Sequence, residues 1–196
     1  VDLDRPRDRK APTPLVDRDR FLRSTPYLGH ASEPVAARYA EVTASLPADA
    51  AAPARAEVLR LAVAAHLSDK NLDSVLATAE EAATQRSGDC TEHAVLLTAL
   101  LRADGVPARI ATGLIYVDAF AGKRDLFAYH MWSQAYLGGR WVDLDATLDG
   151  ATSFDAAHLT LGTSALDDDG SALIEMAGAA PWIGQLRLEV VETGKR

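Results

Sequence analysis

One cysteine occurs in the 196 residues, Cys90, and it opens the stretch DCTEHAVLLTALLRADG within residues 86–105. Asp89 can cap a helix after Ser87 and Gly88, and Ala94, Val95, Leu97, Leu100 and Leu101 then recur at helical spacing until Asp104 and Gly105 stop it. Cys90 therefore falls in the first helical turn. Unpaired backbone N–H groups and the positive end of the helix dipole favour an anion there, so the position predicts a lowered thiol pKa and a reactive thiolate. A buried cysteine that merely fills space would occupy the same position, and location alone leaves that alternative open. A nucleophilic thiol needs a base to take its proton, and the base works best when a third group fixes its tautomer and ring orientation.

Candidates for both roles lie on one predicted hairpin. The runs Ala128–Leu137 and Arg140–Leu144 flank Gly138 and Gly139, and glycine accepts the positive φ angles of a tight two-residue turn. In that register Leu137 pairs with Arg140, Tyr136 with Trp141, Gln134 with Asp143, and Trp132 with Asp145. His130 and Trp132 then share a face with Asp145, because alternate residues of a strand point the same way. His130 sits diagonally from Asp145, roughly 7 to 8 Å between backbones, a gap that the two side chains bridge. A bulge or a three-residue loop would flip one strand and separate them. Cys90, His130 and Asp145 thus supply nucleophile, base and orienting acid in chain order; taken singly, His130 is equally a sheet histidine and Asp145 a turn residue.

The elements that must position these groups are helices first and strands second. Residues 1–20 mix charges with Pro6, Pro12 and Pro14 and read as a linker or surface arm; residues 21–196 read as the domain. Ser32 begins a helix with Pro34 in its first turn and Val35, Tyr39, Val42 and Leu46 on one face, closed by Pro47. A second helix is expected over 54–67. A third is expected from Asp73, carrying Val75, Leu76, Ala79 and Ala83, and the cysteine helix is the fourth. After Gly105 the pattern changes to β-branched and aromatic runs: a strand over 108–117, a charged loop over 118–125, then the hairpin. Further on, a short strand within 154–161, a turn at Asp167, Asp168, Asp169 and Gly170, and a last strand over 185–192 complete an α+β domain with a mainly antiparallel sheet.

Composition narrows the classes of partner. The net charge is -8 without any basic cluster, which argues against nucleic acid and anionic membrane as partners. No apolar run approaches the roughly 18 residues of a bilayer span, so no membrane insertion by this segment is expected. A lone cysteine leaves the redox compartment unassigned. The start VDLDRPRDRK lacks an initiator methionine and reads as a domain cut from a longer protein, extracytoplasmic ones included, or as a processed form. Cys90 and His93 have the spacing of a metal half-site, but a structural zinc site needs four ligands and there is no second cysteine; neither metal nor cofactor is expected. His93 instead suits holding the helix start, Glu92 suits the helix dipole, and His158 reads as a core or surface histidine that could also line the cleft. Trp132 and Trp141 fit sheet packing or an apolar cleft wall.

The segments GDCTEHAVLLTALLRADGVPARIATG and YHMWSQAYLGGRWVDLDAT resemble the transglutaminase-like superfamily of papain-related cysteine enzymes, with the motif core over 73–150. Its members carry a cysteine at a helix start, a histidine in a strand reading H-x-W-x-E-x-Y, and an aspartate after a G-x-W strand. The resemblance implies a papain-like fold in which Cys90 is the nucleophile, His130 the base and Asp145 the orienting acid. It also implies thioester chemistry on a carboxamide or peptide bond of a protein or peptide substrate; because nothing in the sequence identifies a second-substrate site, peptidase- or deamidase-like hydrolysis is slightly favoured over amine transfer. The rival reading is a non-catalytic interaction domain that keeps the fold. Gln134 replaces the usual glutamate and Ala146 the usual proline. An oxyanion hole is required, with the Cys90 N–H as one donor and Gln85, Asn71 or Trp132 as candidates for the other.

Overall fold

In the computed structural model, which describes residues 14–47, 49–69, 77–120, 122–148 and 157–167, helices precede strands as the sequence pattern requires. Helix α1 (Glu33–Thr43) follows Ser32 with proline in its first turn, and α2 spans Ala52–His66. The third helix differs from expectation: α3 runs only over Ala79–Thr84. Its start is set by a capping box, with Glu81 N donating to Thr78 Oγ1 (3.2 Å) and Thr78 N to Glu81 Oε2 (2.8 Å). That reciprocal cap satisfies two otherwise orphaned donors and fixes the first turn there. Asp73, Val75 and Leu76 lie outside the described residues.

Helix α4 (Cys90–Ala103) is the hub. Every residue from Glu92 to Arg102 is buried, with the other three helices and the sheet packed around it. Leu96, Leu97, Leu100 and Leu101 are completely enclosed, each contributing about 1.5–3 kcal/mol of burial. Polar ties then fix the helix against the sheet: Thr98 Oγ1 donates to Ser133 Oγ (2.9 Å), which donates to Ala94 O (3.0 Å). Near the far end Arg102 donates to the carbonyls of Ala108, Arg23 and Ala165. A helix gripped along its whole length holds its first residue, Cys90, at a defined place.

The described strands form one antiparallel sheet in the order β3-β2-β1-β4, from β1 (Ala108–Phe120), β2 (Lys123–Leu137), β3 (Arg140–Leu144) and β4 (His158–Ser164). The expected loop over 118–125 is largely strand. Pairing continues through Val117↔Leu126 to Phe120↔Lys123, and Lys123, Arg124 and Asp125 are exposed. A ladder is closed by backbone groups, so charged side chains are compatible with it wherever they face water. The next hairpin has the expected register, Leu137↔Arg140, Tyr136↔Trp141 and Gln134↔Asp143, with Gly138 and Gly139 at φ 59° and 82°. Those left-handed angles are what a type I′ turn needs and what a Cβ disfavours.

Strand β4 lies within and beyond the predicted span 154–161; residues 151–156 and 185–192 fall outside the described residues. Its pairing with β1 shifts register between Thr112 and Gly113. Glycine at 113 is required by close approach, because a Cβ there would stand 2.0 Å from the Leu159 carbonyl oxygen and 3.0 Å from the Trp132 ring. Among the described residues, no helix is long and apolar enough to cross a membrane.

Candidate active site

The local sequence around Cys90 builds a rigid helix start. Asp89 Oδ1 accepts from Thr91 N (2.7 Å) and Thr91 Oγ1 (2.7 Å), and Glu92 Oε2 accepts from Asp89 N (2.8 Å). Glu92 does more than complement the dipole: it is fully buried, and its Oε1 accepts from Ala77 N (3.0 Å), pinning the segment before α3 to the head of α4. His93 donates Nδ1–H to Asp89 O (2.6 Å), also bracing the turn. These bonds leave the Cys90 N–H, at the first helical position, without an intrahelical partner.

The sulfur is not in the environment that its helix position suggests. Burial, followed by the Asp89 carboxylate and then Asp145 and Glu92, pushes the Cys90 thiol up to about 12, against a hydrogen bond from the Met131 backbone that pulls the other way. The helix end is electropositive, but desolvation of the anion and three neighbouring carboxylates outweigh it. The expected lowered pKa is therefore corrected: the resting group is a thiol. Asp89 is itself raised by burial. Glu92 is held low because the backbone N–H groups of Ala77 and Asp89 outweigh its burial.

The β2–β3 ladder stops at Ser133↔Leu144, and beyond it the Met131 backbone N–H faces the Cys90 sulfur and favours its anion. His130 is the next residue. Its Nε2 lies 2.7 Å from Asp145 Oδ2, with both side chains buried. An ionised carboxylate only accepts, so the proton is on Nε2 and the lone pair on Nδ1. Asp145 follows β3 directly, and its other oxygen accepts from Thr147 N (2.8 Å) and Thr147 Oγ1 (2.7 Å). Burial alone would raise this carboxyl. Hydrogen bonds from His130, His158 and Thr147 instead hold it far below the ordinary carboxylate range.

His158 is the residue that sequence reasoning underrated. Its Nε2 is 3.1 Å from the same Asp145 Oδ2, and its ring packs edge-on against Trp132 (5.4 Å) while Trp132 stacks on His130 (5.9 Å). No local signal near His158 announces this; the β4 register at Gly113 creates it. The ligand atoms of His130, Asp145 and His158 lie within 4.8 Å of one another, a spacing that a divalent cation could span. Both imidazole nitrogens, however, are within hydrogen-bond distance of one oxygen and Thr147 fills the other. Protons therefore already satisfy the cluster.

Of the oxyanion candidates, Trp132 is excluded as it stands, because its indole N–H donates to Asp143 Oδ1 (2.9 Å). Asn71 lies outside the described residues. Gln85 Nε2 is buried and has no partner among the described residues, five positions before Cys90. Gln134 is occupied with Arg109 (2.8 Å) and Asp143 (2.6 Å), and Arg109 lies over the Trp141 ring at 4.0 Å. The substituted glutamine is thus part of the sheet's polar lacing.

Comparison with known proteins agrees with this architecture. Residues 37–146 match the model of the transglutaminase-like superfamily. Among solved structures, a "putative cysteine protease" from Cytophaga hutchinsonii superposes with a TM-score of 0.63 at 20% identity, covering 83% of this chain and 50% of that one. The periplasmic domain of TgpA from Pseudomonas aeruginosa gives 0.47 at 24% identity, covering 66% of this chain and 46% of the other. This chain spans about half the length of these structures. A search of curated proteins finds no match. The first superposition shares the fold, and the family match extends over more than half the sequence, from α1 to the residue after Asp145: the chain belongs to the transglutaminase-like superfamily of cysteine enzymes.

Proposed function

We propose that the chain is a cysteine-dependent acyl-transfer enzyme acting on carboxamide or peptide bonds, with Cys90 as nucleophile, His130 as general base and Asp145 as the acid that orients it. The observation carrying this reading is the 2.7 Å bond from His130 Nε2 to buried Asp145, next to Met131, the strand residue whose backbone favours the Cys90 anion. That bond commits Nε2 and leaves the Nδ1 lone pair to receive a proton. A thiol held near 12 does not ionise first. Its proton passes to His130 as sulfur attacks the carbonyl carbon, the carbonyl oxygen takes the negative charge, and the Cys90 N–H and Gln85 amide suit that oxyanion.

Collapse of the adduct breaks the C–N bond, and the amine leaves with the proton from His130. A thioester remains on Cys90. Water then gives up a proton to His130 and attacks the thioester, releasing a carboxylic acid and restoring the thiol. A primary amine in place of water would give transfer. Hydrolysis is favoured because no residue pattern in the chain marks a second-substrate site.

The test is mass spectrometry of glutamine-containing peptides incubated with the protein, with and without a primary amine. Deamidated or cleaved peptide is the expected product, and an amine adduct would reassign the reaction to transfer. The raised pKa of the partly buried Cys90 thiol favours a non-catalytic interaction domain instead. Unchanged peptides, together with no acyl adduct on Cys90 from p-nitrophenyl acetate, would establish that alternative.

A further inference from the structure

Strands β3 and β4 are opposite edges of the sheet, separated by β2 and β1, yet a side chain from each meets over the His130 face. Asp145 lies just past the last ladder pair of β3, so no strand pairing fixes it. Thr147, two residues on, holds Oδ1, but a partner so close in sequence moves with the same segment. His158 is different. It opens β4, paired with Ile115 of β1, and from that independent anchor its Nε2 reaches Asp145 Oδ2 at 3.1 Å.

The surroundings are shaped for this reach. Glycine at 113, the position across from His130, lets the Leu159 carbonyl and the Trp132 ring close in where any side chain would collide. Trp132 then contacts both imidazoles, which lie 5.7 Å apart. The family match ends at residue 146, so it gives His158 no role.

We infer that His158 is a positioning residue of the proposed active site, a second imidazole that clamps the Asp145 carboxylate in the orientation His130 needs. The inference rests on the proposed acyl-transfer reading. Both rings donate Nε2–H to one oxygen, so the carboxylate cannot rotate away from His130 without also breaking its bond to β4. Without His158, Oδ2 keeps only the His130 donor; Arg60 Nη1 of α2 holds the Asp145 backbone carbonyl (3.1 Å) but does not orient the carboxylate. Loss of such orienting partners lowers activity by about 10–100-fold.

The test compares the full chain with His158→Leu, His158→Gln and His158→Asn. Glutamine places an amide N–H near the position of Nε2, whereas asparagine places it near Nδ1, too short to reach Asp145. Two readouts are used: acylation of Cys90 by p-nitrophenyl acetate, and the downfield proton resonance of the His130–Asp145 bond, with folding checked by urea denaturation. Expected is a fall of about 10–100-fold for leucine and asparagine with a broadened or lost resonance, and recovery of both readouts in the glutamine variant. Equal acylation by the folded glutamine and asparagine variants, or an unchanged resonance in asparagine, overturns the assignment. Should leucine fail to fold, the glutamine and asparagine pair still decides. Absence of acylation in the unaltered chain would refute the proposed function, while the resonance would continue to report on His158.

Discussion

Replacing Asp145 by asparagine tests the site at its most connected atom pair. The carboxylate accepts four hydrogen bonds, from His130 and His158 on Oδ2 and twice from Thr147 on Oδ1. Asparagine keeps one acceptor oxygen and turns two donors toward the other pair. If its oxygen stays with Thr147, its NH₂ faces both imidazoles, which can meet it only by moving their protons to Nδ1. His130 then presents N–H where the mechanism needs a lone pair. A wrong tautomer of this kind costs about 10³–10⁴-fold in rate.

Hydrogen bonds to charged groups are worth about 1.5–3 kcal/mol each, and weakening two of them outweighs the relief of removing a buried charge, for a net loss of about 2–3 kcal/mol in stability. The pH dependence has a definite sign. A carboxyl held low in the folded state contributes stability that is complete above its unfolded pKa, near 4, and is lost as pH falls toward the folded value. The stability gap between the native protein and Asp145→Asn should therefore be full at neutral pH and close in acid. Urea denaturation at several pH values gives the gap, and stopped-flow release of p-nitrophenol gives the rate. A folded Asp145→Asn protein that acylates within about tenfold of the native rate would refute the assignment of His130 as an Asp145-oriented base.

Two further outcomes follow from the same geometry. Because burial holds the Cys90 thiol near 12 against an ordinary value of 9.0, the unfolded chain ionises first as pH rises, and native stability falls across that interval by up to about 4 kcal/mol. Cys90→Ala lacks this contribution, so denaturation of the two proteins on going from about pH 8 to about pH 10.5 should show the steeper loss in the native chain, and parallel slopes would contradict the raised thiol pKa. Iodoacetamide should accordingly label native Cys90 more slowly than free cysteine at neutral pH. Gly113→Ala drives a Cβ into the Leu159 carbonyl, so it should cost about 1–3 kcal/mol and lower acylation by displacing His158, and an alanine variant of native stability and rate would show that β4 need not approach so closely.

What the sequence made legible is what short-range patterns encode. The cap at Asp89, the apolar spacing of α4 and the Gly138, Gly139 turn are local, and together they place Cys90 at a helix start and fix the hairpin register. That register brings Asp145, one residue past the last ladder pair, to the side of the sheet where His130 lies. The misses have a common physical origin in contacts between segments far apart in the chain. His158 and Asp145 meet across the full width of the sheet, through a register shift that no local signal predicts. The polarity of the stretch 118–125 reads as a loop, whereas an exposed ladder tolerates charge on both of its faces.

The Cys90 pKa shows why location within an element does not settle reactivity. The helix terminus offers a thiolate a fixed, modest stabilisation, on the scale of about 0.3–1 kcal/mol at exposed sites. Burial opposes it, and so do Asp89, Asp145 and Glu92, two of which are part of the cap that makes the helix start rigid. Thus the residues that hold the sulfur in place also keep it protonated. In the proposed mechanism such a thiol stays inert toward reagents that cannot engage the base, and would become a nucleophile when a carbonyl substrate lets His130 take the proton as the new bond forms. Positional rigidity and low resting reactivity are therefore two results of one arrangement, and alkylation and acylation should rank the native protein oppositely against free cysteine.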